Sequence, residues 1–397
     1  MFHKKTIRDV PIDNKSVLVR VDYNVPLEED GTIADDFRIR QSLETLKYLI
    51  KRKCKITICS HLGRPEGKPD KKYSLERVAE RLQKLIGIEV IFVDEAVGDR
   101  AFITRKKQTT NEIIMLENLR FDAREEGNDA HFAKELVKNA EYFVQDGFGV
   151  VHRAHASTDA ITHYLPGVAG FLLEKEVSTI LGAMKSPKHP VISIVGGAKI
   201  KDKIDVIKNF MKISETVIVG GVMANTLMVA KGYGVGNSKY EDEEIPEANH
   251  LLEHAAENDC ELFVPHEDVA VGDKFDETAK RREIDIEDVK SNDIIMDFGR
   301  KTMEEVCHNI SNAHTVFWNG PLGVIEFKNF NWATTKLSEC IAANNHLTSI
   351  VGGGDTTGFI DELGMRDKFT HVSTGGGASL ELMAGYKLPG IEALLDS

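Results

Sequence analysis

The chain has 397 residues, more than one hydrophobic core usually supports, so two domains of about 150–200 residues each are expected. Its composition is that of a globular protein, with 42% hydrophobic and 28% charged residues. The formal net charge of −13 argues against nucleic acid or an anionic membrane as the main partner. No run of about 18 apolar residues predicts a membrane span, and the polar start MFHKKTIRDVPIDNK lacks the apolar stretch of a secretory signal.

The cysteines are few and scattered. They stand at positions 54, 59, 260, 307 and 340, their number is odd, and no two of them form a CxxC pair. This pattern predicts reduced thiols in a cytoplasmic protein, and neither a disulfide framework nor a zinc site.

The arginines are distributed unevenly along the chain. Thirteen of the seventeen lie at or before Arg153, and none falls between Arg153 and Arg281. Two interpretations are open from composition alone. The first half either has an uneven solvated surface or binds an anion that needs planar, forked donors.

Strand-like and helix-like segments alternate along the whole chain. The apolar, β-branched segments of the first half are SVLVRV, KITICS, EVIFVD, EIIMLE and EYFVQD, separated by amphipathic segments that include QSLETLKYLIKRK, SLERVAERLQKLIG and HFAKELVKNA. The second half continues with PVISIV, ETVIVG, CELFVP, DIIMDFG, HTVFWNG and TSIVGGG, and its helical segments include KIDVIKNFMK, IPEANHLLEHAAEN and NWATTKLSECIAANN. This alternation predicts an α/β protein with two doubly wound parallel-sheet domains.

The segment EKEVSTILGAMKSPKHP is expected to join the two domains. It begins as a helix and ends in SPKHP, where the prolines stop helix propagation. We therefore expect a first domain over residues 1–172, a connecting helix or hinge over 173–186 and a second domain over 187–373.

Polar clusters follow the predicted strands in both halves. HLGRP follows KITICS, ENLRF follows EIIML and DGFGVVHRAH follows EYFVQ, while GGAK, NGPLG and GGGDT follow ISIV, TVFW and TSIV. In open parallel sheets, ligands bind beyond the carboxyl ends of the strands. Each half is therefore expected to form one half of a binding site.

The clusters of the first half are rich in guanidinium groups. SHLGRP places His61 and Arg64 three residues apart in a tight loop, which on its own is equally typical of a surface turn. Arg38, Arg120 and Arg153 each stand beside a predicted strand–helix junction. Because arginine binds oxyanions bidentately, the set favours an anion pocket.

Two further motifs of the first half leave alternatives open. In RVDYNVP, Asp22 and Asn24 could orient hydroxyls of a small ligand, or Asp22 could form a structural ion pair with Arg20. The HRAH motif, with His152 and His155 on either side of Arg153, matches neither HExxH nor a usual zinc finger, so zinc is not expected there.

VGGAKIKDKID predicts a strand that turns into a helix whose first turns carry Lys199, Lys201 and Lys203. Cations at a helix N-terminus oppose the macrodipole by several tenths of a kcal/mol each. Either Asp202 and Asp205 offset them on a solvated face, or a bound polyphosphate does. Lys199 and Lys203, four residues apart, are expected on one side of that helix.

The remaining clusters of the second half also suit phosphate. NGPLGVIE ends in Glu326, which could hold ribose hydroxyls, and GGGDTT supplies Asp355 for magnesium and Thr356 near phosphate. STGGGA places the amides of Gly375–Gly377 at a helix start, where they could face a transferring group. No GxxxxGK[ST] motif is present, and GYGVGN follows a helical stretch, which predicts a helix-ending loop and not a dinucleotide fingerprint.

In order along the chain, RVDYNVP, DDFRIR, SHLGRPEGKP, ENLRF, HRAHAS, GFLLEKE, VGGAKIKDK, NGPLGV, GGGDT, STGGGA and LPG closely resemble the motifs of the phosphoglycerate kinases. The resemblance runs nearly end to end, and the combination is highly specific. It implies Mg²⁺-dependent, reversible phosphoryl transfer between 1,3-bisphosphoglycerate and ADP, giving 3-phosphoglycerate and ATP. It also implies a monomeric, cytoplasmic enzyme whose domains close about hinges near Glu174–Lys175 and Ser373–Thr374, with residues from about 374 to 397 returning to the first domain.

The resemblance also assigns site residues position by position. Contacts to the phosphoglycerate would come from Asp22, Asn24, Arg38, His61, Leu62, Gly63, Arg64, Arg120 and Arg153. Contacts to the magnesium nucleotide would come from Lys199, Lys203, Glu326, Gly353, Gly354, Asp355 and Thr356, with Asp355 on the metal side. Charge on the transferring phosphoryl group would be stabilised by Arg38, Lys199, Lys203, Gly376 and Gly377.

Five positions depart from the family pattern: Val222, Asn225, His266, Ile295 and Arg300. All of them are expected around the base pocket, so they leave the phosphate chemistry intact and the nucleotide preference open.

Two functions of other classes compete with this interpretation. A non-catalytic binding or scaffold protein with this fold would be expected to lack a transfer cation or the magnesium carboxylate, yet Arg38, Lys203 and Asp355 are all present. An NAD-dependent dehydrogenase would suit the α/β class. The sequence, however, has no well-placed GxGxxG and no obvious proton-transfer acid.

Overall fold

A computed structural model describes residues 2–397 of the chain. The chain divides into two compact units. The first unit comprises the residues up to Ser178 together with Lys387–Ser397, and the second unit comprises Thr179–Tyr386. The break at Ser178 lies inside the segment 173–186 that is expected to connect the domains. Residues 374–386, which the sequence resemblance assigns to the returning tail, lie in the second unit.

The first unit contains a six-stranded parallel sheet. Its strands are β1 Ser16–Arg20, β2 Lys55–Cys59, β3 Glu89–Val93, β4 Glu112–Leu116, β5 Tyr142–Gln145 and β6 Gly167–Ala169. Their order across the sheet is β3-β4-β2-β1-β5-β6, so β1 and β2 lie at the centre. The helices are α1 Phe37–Gln41, α2 Leu43–Lys51, α3 Glu76–Ile86, α4 Asp99–Lys107, α5 Ala123–Glu126, α6 Ala130–Leu136 and α7 Phe171–Lys185.

The core of the first unit forms where helices cover the central strands. The amphipathic α3 buries Val78, Ala79 and Leu82 on one face, and these side chains join the same core cluster as Val17 and Ile56 of the sheet. Fully burying one such aliphatic side chain stabilises the fold by about 1.5–3 kcal/mol. The same sheet-and-helix arrangement explains why the predicted strands and helices of this half form where their hydrophobic periodicity indicates.

The C-terminal residues Lys387–Ser397 pack on the first unit. Helix α15, Pro389–Glu392, is anchored by the Gly390 amide, which donates to the Val151 carbonyl at 2.9 Å. Beyond it, the Leu395 amide donates to the Gly167 carbonyl at 3.0 Å, and Asp396 pairs with Lys4 in an antiparallel bridge.

The second unit contains its own six-stranded parallel sheet. Its strands in this sheet are β7 Val191–Gly196, β8 Thr216–Gly220, β9 Glu261–Phe263, β13 Thr315–Asn319, β14 Thr348–Gly352 and β15 His371–Val372, in the order β15-β14-β13-β7-β8-β9. The helices are α8 Ile204–Met211, α9 Val222–Ala230, α10 Ile245–Glu257, α11 Arg300–Asn312, α12 Trp332–Ala343, α13 Gly354–Glu362 and α14 Gly377–Met383. Two parallel six-stranded sheets confirm the predicted fold class.

A second, smaller sheet in this unit is not predicted by the sequence. The strands β10 Asp268–Gly272, β11 Arg282–Asp285 and β12 Ile294–Phe298 pair antiparallel in the order β11-β10-β12. The segment DIIMDFG is therefore correctly predicted as a strand but wrongly placed in the parallel design. An apolar run of five residues has the same appearance in both kinds of sheet.

Short 3₁₀ segments complete the secondary structure at Lys71–Tyr73, Leu119–Phe121, Phe148–Val150, Ala160–His163, Asp242–Glu244, Ile286–Asp288 and Arg366–Lys368. Over residues 2–397, no helix combines the length and the hydropathy that crossing a lipid bilayer requires.

The prediction of five reduced cysteines is wrong for two of them. Cys307 on α11 and Cys340 on α12 form a disulfide, while Cys54, Cys59 and Cys260 are free and buried. The sequence does not indicate the pair because the two positions are 33 residues apart and become neighbours only when α11 packs beside α12.

Candidate functional site

The predicted anion-binding residues of the first unit gather at one edge of its sheet. The four neighbouring strands β4, β2, β1 and β5 run parallel, so their carboxyl ends lie side by side. Asp22 and Asn24 follow β1, the loop His61–Arg64 follows β2, Arg120 follows β4, and Arg153 follows β5. Parallel pairing therefore brings together groups that are far apart in sequence.

Hydrogen bonds connect these loops to one another. The Arg38 Nη1 donates to Asp22 Oδ2 at 2.6 Å, which holds the guanidinium of α1 against the loop after β1. The Gly63 amide donates to Asn24 Oδ1 at 2.8 Å, and Arg120 Nη1 donates to the Gly63 carbonyl at 2.9 Å. The loop after β2 is thus fixed from both sides.

Two of the arginines have no carboxylate partner in the described chain. Arg64 and Arg153 are exposed, and within residues 2–397 neither forms an ion pair with a carboxylate. Arg120, which is 8% exposed, has Glu126 as a partner at 3.1 Å. An excess of unpaired guanidinium groups at one sheet edge favours an anionic ligand.

The histidines at this edge are held in their neutral form. Burial, reinforced by the charge of Arg20, lowers the pKa of His61 well below its usual value. Burial likewise lowers the pKa of His155 to about 4, and it lowers the pKa of His152. A neutral imidazole at position 61 can exchange hydrogen bonds with a ligand without adding charge.

Beneath these loops lies a buried polar network that the sequence does not reveal. Arg20 is 1% exposed, and its Nε donates to Ser157 Oγ at 2.8 Å, so Arg20 does not form the alternative ion pair with Asp22. Ser157 in turn donates through Oγ to Glu125 Oε1 at 2.5 Å and through its amide to Oε2 at 3.0 Å. The HRAHAS motif contains Ser157, but nothing in the sequence indicates its two partners.

Neither the HRAH motif nor any other part of residues 2–397 brings together three or more His, Cys, Asp or Glu side chains in a group suited to hold a metal ion. His152 contacts Arg153, its Nε2 lying 3.2 Å from the arginine Nε, and His155 lies beside Glu125 at 3.9 Å. These histidines belong to the arginine-rich edge.

The second unit has a cavity of about 850 Å³ at the carboxyl ends of its strands. Its walls come from the loops after β7, β8, β13 and β14 and from the strand β12. Of the predicted nucleotide residues, Lys203, Glu326, Gly353, Gly354, Asp355 and Thr356 all line this cavity, and so do Gly376 and Gly377. A cavity of this size suits a nucleotide-sized ligand.

Lys203 occupies one end of the cavity. Its Nζ donates to the Gly196 carbonyl and to Asn319 Oδ1, both at 2.8 Å, which leaves the third proton of the ammonium group for a ligand. Burial lowers the pKa of Lys203 to about 8, against the opposing charges of Asp355 and Asp202.

The predicted helix around these lysines is wrong at its start. Helix α8 begins at Ile204, so Lys203 is its N-cap residue, and Lys199 and Lys201 stand in the preceding loop instead of in the first turns of the helix. Lys199 is exposed and does not line the cavity. Gly197, with φ of +155°, keeps the chain extended after β7, and the helical periodicity in the sequence could not show this.

Glycines allow the strand ends to meet closely at the base of the cavity. Gly320, after β13, has φ of +102°, and a Cβ placed there would collide with the carbonyl of Gly196, the last residue of β7. A Cβ on Gly196 would in turn collide with the Pro321 carbonyl. Only glycine satisfies both the conformation and the close approach of two backbones.

The loop after β14 directs a helix N-terminus and a carboxylate towards the same end of the cavity. Gly353 is the N-cap residue of α13, and Asp355 lies in the first turn, where its exposed carboxylate accepts no hydrogen bond from residues 2–397. Thr356 Oγ1 accepts from the Gly320 amide at 2.8 Å, which ties this loop to the loop after β13. Asn319 Nδ2 is buried, lines the cavity and lacks a partner in the described chain.

Further parts of the cavity wall are formed by α9 and by the small antiparallel sheet. Three of the positions that depart from the family pattern, Val222, Asn225 and Ile295, line the cavity there. The other two, His266 and Arg300, do not line it, so the expectation that all five surround the base pocket is wrong. His266 pairs with Glu305 at 3.3 Å, and Arg300 pairs with Glu283 at 3.1 Å.

A buried ion pair between Arg281 and Asp297 lies at the cavity wall formed by β12, and the sequence does not indicate this pair. Asp297 Oδ2 accepts from Arg281 Nη1 at 2.7 Å and from the Ala333 amide at the start of α12 at 3.0 Å. Burial raises the pKa of Asp297 to about 6, although Arg281 opposes that shift. The pair forms across the antiparallel sheet, which hydrophobic periodicity does not predict.

An arginine-rich sheet edge on one α/β unit and a glycine-lined cavity on another are the features expected of a kinase that phosphorylates a small anionic molecule. Comparison with known proteins agrees. The family model for phosphoglycerate kinase matches residues 7–386. The chain belongs to the phosphoglycerate kinase family.

Individual relatives and solved structures are similar over the full chain. The phosphoglycerate kinase of Chloroflexus aurantiacus is 45% identical over 400 residues, covering 100% of both chains. That of Borreliella burgdorferi is 44% identical over 391 residues, covering 98% of this chain and 99% of the relative. The solved phosphoglycerate kinases of Coxiella burnetii and Pyrococcus horikoshii superpose with TM-scores of 0.85 and 0.81 at 36% and 32% identity, each covering 98% of both chains.

Family membership identifies the reaction. The chain is a phosphotransferase that transfers a phosphoryl group reversibly between 1,3-bisphosphoglycerate and ADP, giving 3-phosphoglycerate and ATP. The NAD-dependent dehydrogenase, which the fold class alone would allow, is thereby set aside.

Proposed function

We propose that the first unit binds the phosphoglycerate through the loops after β1, β2, β4 and β5. The observation that carries this proposal is the convergence of unpaired guanidinium groups at one sheet edge, with Arg64 and Arg153 free of carboxylate partners in the described chain. A phosphate and a carboxylate on one small molecule need several forked donors. Asp22 and Asn24 would orient the hydroxyl, and His61, Leu62 and Gly63 would complete the wall.

The second unit is proposed to bind the nucleotide with its phosphates at the Lys203 end. The cavity extends from β14 across β13 and β7 to β8, and neighbouring strands lie about 4.8 Å apart, so its length suits a nucleoside diphosphate. The free proton of Lys203, the N-terminus of α13 and the unpartnered Asn319 Nδ2 all supply positive or donor groups at that end. Glu326 would then hold the ribose, and the base would lie beside Ile295 and Val324.

Magnesium fits the groups present at the phosphate end. Mg²⁺ in kinases is held by one or two carboxylates plus phosphate oxygens, and Asp355 offers one carboxylate with no competing hydrogen bond within residues 2–397. When bound, the ion would neutralise charge on the nucleotide phosphates. Lys199, which stands outside the cavity, would contribute to charge stabilisation only if its loop moves towards the phosphates.

For phosphoryl transfer, the protein has to align the two substrates and stabilise the charge on the transferring group. The acceptor carboxylate of 3-phosphoglycerate is ionised at neutral pH, so no general base is needed. Phosphoryl transfer then depends on positioning and on cations around the group in flight. We assign Arg38 to that group from the first unit, and Lys203 with the Gly376 and Gly377 amides from the second. Exclusion of water during transfer would protect the acyl phosphate.

Calorimetric titration of the two ligands tests these assignments separately. Arg64→Ala should weaken 3-phosphoglycerate binding by about tenfold or more while ADP binds as in the wild type, because one charge-assisted bidentate contact is lost. Asp355→Asn should weaken binding of ADP in the presence of Mg²⁺ and leave metal-free ADP binding unchanged. Arg100→Ala, an exposed arginine of the first unit paired with Asp94, should change neither. If either site variant lost affinity equally for 3-phosphoglycerate and for ADP, the assignment of one ligand to each unit would be contradicted.

The proposal also includes the oligomeric state of the enzyme and its location in the cell. The resemblance to phosphoglycerate kinases supports a monomer in the cytoplasm, where its substrates and nucleotides occur. Sedimentation equilibrium of the full chain would reveal a dimer if the monomer assignment is incorrect.

A further inference from the structure

The disulfide between Cys307 and Cys340 lies outside both candidate ligand sites. Cys307 stands in the middle of α11 and Cys340 in the last turns of α12, and their Cα atoms are 5.6 Å apart, within the usual range for a disulfide. Both residues are half-buried, packed at the edge of the second unit's core. Neither residue lines the nucleotide cavity.

The other three cysteines are poor candidates for thiol chemistry. Burial raises the pKa of Cys54 and of Cys260 to about 11, and it raises the pKa of Cys59 to about 12. Thiolate is the reactive form, so these buried thiols are inert towards mild oxidants. Cys307 and Cys340 are therefore the chain's one pair of cysteines that are both close together and within reach of solvent.

The cross-link closes a loop that contains part of the nucleotide cavity. Residues 307–340 include β13 and the loop Asn319–Glu326, which supplies several cavity-lining residues. The helices joined by the disulfide begin beside carboxylates of the small antiparallel sheet, of which Asp297 lines the cavity. The α11 N-terminus receives the Asp268 carboxylate, which accepts from the Thr302 amide at 2.8 Å, and the α12 N-terminus receives Asp297.

We propose that Cys307 and Cys340 form a reversible redox-modification site that sets the stability of the nucleotide-binding unit. In the oxidation step the thiolate of one cysteine attacks a low-molecular-weight disulfide and displaces one thiol, giving a mixed disulfide. The thiolate of the second cysteine then attacks the protein sulfur of that mixed disulfide and displaces a second thiol. The protein pair loses two electrons and two protons, and the small disulfide is reduced to two thiols. A dithiol reverses the process.

We expect the disulfide to increase the stability of the folded protein and to leave the catalysed reaction unchanged. Joining α11 to α12 restricts the unfolded chain over the enclosed residues, and this restriction favours the folded state in the chain-entropy description. Lys203, Asp355 and the arginine-rich edge are not on either helix. Turnover under mild conditions should therefore be similar in both redox states, while survival under heat or denaturant should differ. Disulfides in reducing compartments are usually of this transient kind.

The full-length enzyme is incubated with excess oxidised glutathione or with dithiothreitol, free thiols are alkylated, and thermal unfolding and peptide masses are measured. The oxidised protein should yield a linked Cys307–Cys340 peptide and unfold about 5–10 °C higher than the reduced protein. Its initial turnover should agree with that of the reduced protein within about twofold.

Variants separate this pair from general thiol effects. Cys307→Ser and, independently, Cys340→Ser should abolish the difference in midpoint between the two treatments. Cys260→Ser should retain the difference, even if both of its midpoints are lower, because Cys260 is not part of the pair. Absence of the linked peptide under excess oxidised glutathione, equal midpoints in the wild type, or a difference that survives in Cys307→Ser would each overturn the proposal.

Discussion

The arginines at the arginine-rich edge of the first unit differ in whether a carboxylate pairs with them. Arg38 is held by Asp22 and Arg120 by Glu126, whereas Arg64 and Arg153 have no carboxylate partner in the described chain. A ligand with a phosphate and a carboxylate would complete this set. We propose that the Arg38 guanidinium contacts the transferring phosphoryl group. Asp22 holds it in position through one nitrogen, Nη1, and leaves the rest of the guanidinium for the ligand.

Replacing Arg38 by alanine should separate turnover from nucleotide binding. We expect the turnover number to fall by about 10²–10³, the typical loss when one preorganised charge at a reacting group is removed, with ADP affinity nearly unchanged. Arg40→Ala on the same helix is the matched control, because Arg40 is half-exposed and pairs with Asp36. Near-normal turnover in Arg38→Ala would show that another group stabilises the transferring phosphoryl.

Lys203 is the residue whose charge state should be visible in the pH dependence of activity. Its pKa of about 8 in the protein without ligand means that the ammonium form required by phosphate is lost as pH rises through 8. The value of kcat/KM for MgATP should therefore decline above about pH 8, since this ratio reports ionisations of the free enzyme. Bound phosphates favour the ammonium form, so kcat should hold to higher pH.

Parallel pH profiles with saturating and limiting nucleotide provide this measurement. A kcat/KM that remains level well above pH 8 would contradict the assignment of Lys203. Lys212→Met is the matched control, since Lys212 is exposed at the end of α8 and does not line the cavity. Its profile should match that of the wild type.

Residue identities in the motifs could be predicted from the sequence, but their buried partners could not. His61, Arg64, Asp355 and Lys203 stand in short motifs with a recognisable chemistry. Arg20 reaches Ser157 across 137 residues, and no local pattern encodes such a contact. For Lys199 a local pattern gives a wrong prediction. The spacing of Lys199 and Lys203 suggests that they share one side of a helix, but α8 begins only at Ile204.

Glycine-containing strand ends are the elements that shape the nucleotide cavity. The carboxyl ends of β7 and β13 are neighbours in the sheet, and the loops that leave them touch through backbone atoms at Gly196 and Gly320. A side chain on either residue would push the two loops apart. The cavity floor therefore depends on glycine for space as well as for conformation.

Gly320→Ala tests that dependence against a control with equal backbone strain. Gly320 has φ of +102°, and Gly232, on a loop where an added Cβ would have no neighbouring atom within 4 Å, has φ of +92°. Alanine at either site suffers a similar conformational penalty, but only Gly320→Ala adds the collision with Gly196. We expect Gly320→Ala to lower the free energy of unfolding by about 2 kcal/mol more than Gly232→Ala, and to weaken ADP binding. Equal urea midpoints would refute the close-contact explanation.

Helix α7 begins beside a buried acid in the first unit. Asp146 Oδ1 accepts from Thr45 Oγ1 and from the Leu172 amide, both at 3.0 Å, while Asp146 Oδ2 has no partner in the described chain. Burial raises the pKa of Asp146 to about 8, so the acid is largely protonated near neutral pH. Between the ordinary carboxyl pKa and 8, the folded chain therefore holds a proton that the unfolded chain has released.

The sign of this linkage predicts how stability changes with pH. Because the folded state binds more protons in that window, the contribution of Asp146 is fully present below about pH 4 and is lost as pH rises towards 8, at no more than about 1.4 kcal/mol per pH unit. Asp146→Asn should therefore unfold with a shallower loss of stability between pH 5 and 8 than the wild type. Urea midpoints that fall in parallel for the two proteins would show that Asp146 is already ionised in the folded state.

At the level of elements, the sequence predicts the alternation of strands and helices but not every strand partner. Hydrophobic periodicity indicates where β7, β13 and β14 form, and parallel pairing then follows from the intervening helices. The antiparallel sheet of β10, β11 and β12 needs information that a five-residue apolar run does not contain. Its β11, Arg282–Asp285, is largely exposed and has no hydrophobic pattern to reveal it.

At the scale of the whole molecule, we propose that each unit binds one of the two ligands. The arginine-rich edge belongs entirely to the first unit, and the cavity with Lys203 and Asp355 belongs entirely to the second. On this proposal, neither unit by itself binds both the acceptor and the donor of the phosphoryl group.

The most direct test of the account is formation of the acyl phosphate by the full-length protein from 3-phosphoglycerate and MgATP, trapped with hydroxylamine as the hydroxamate. We expect product only when 3-phosphoglycerate, ATP and Mg²⁺ are all present, with ADP released in equal amount. In Arg38→Ala and in Asp355→Asn, product should form at a small fraction of the wild-type rate. Release of ADP without hydroxamate, or equal rates in the wild type and both variants, would contradict the account.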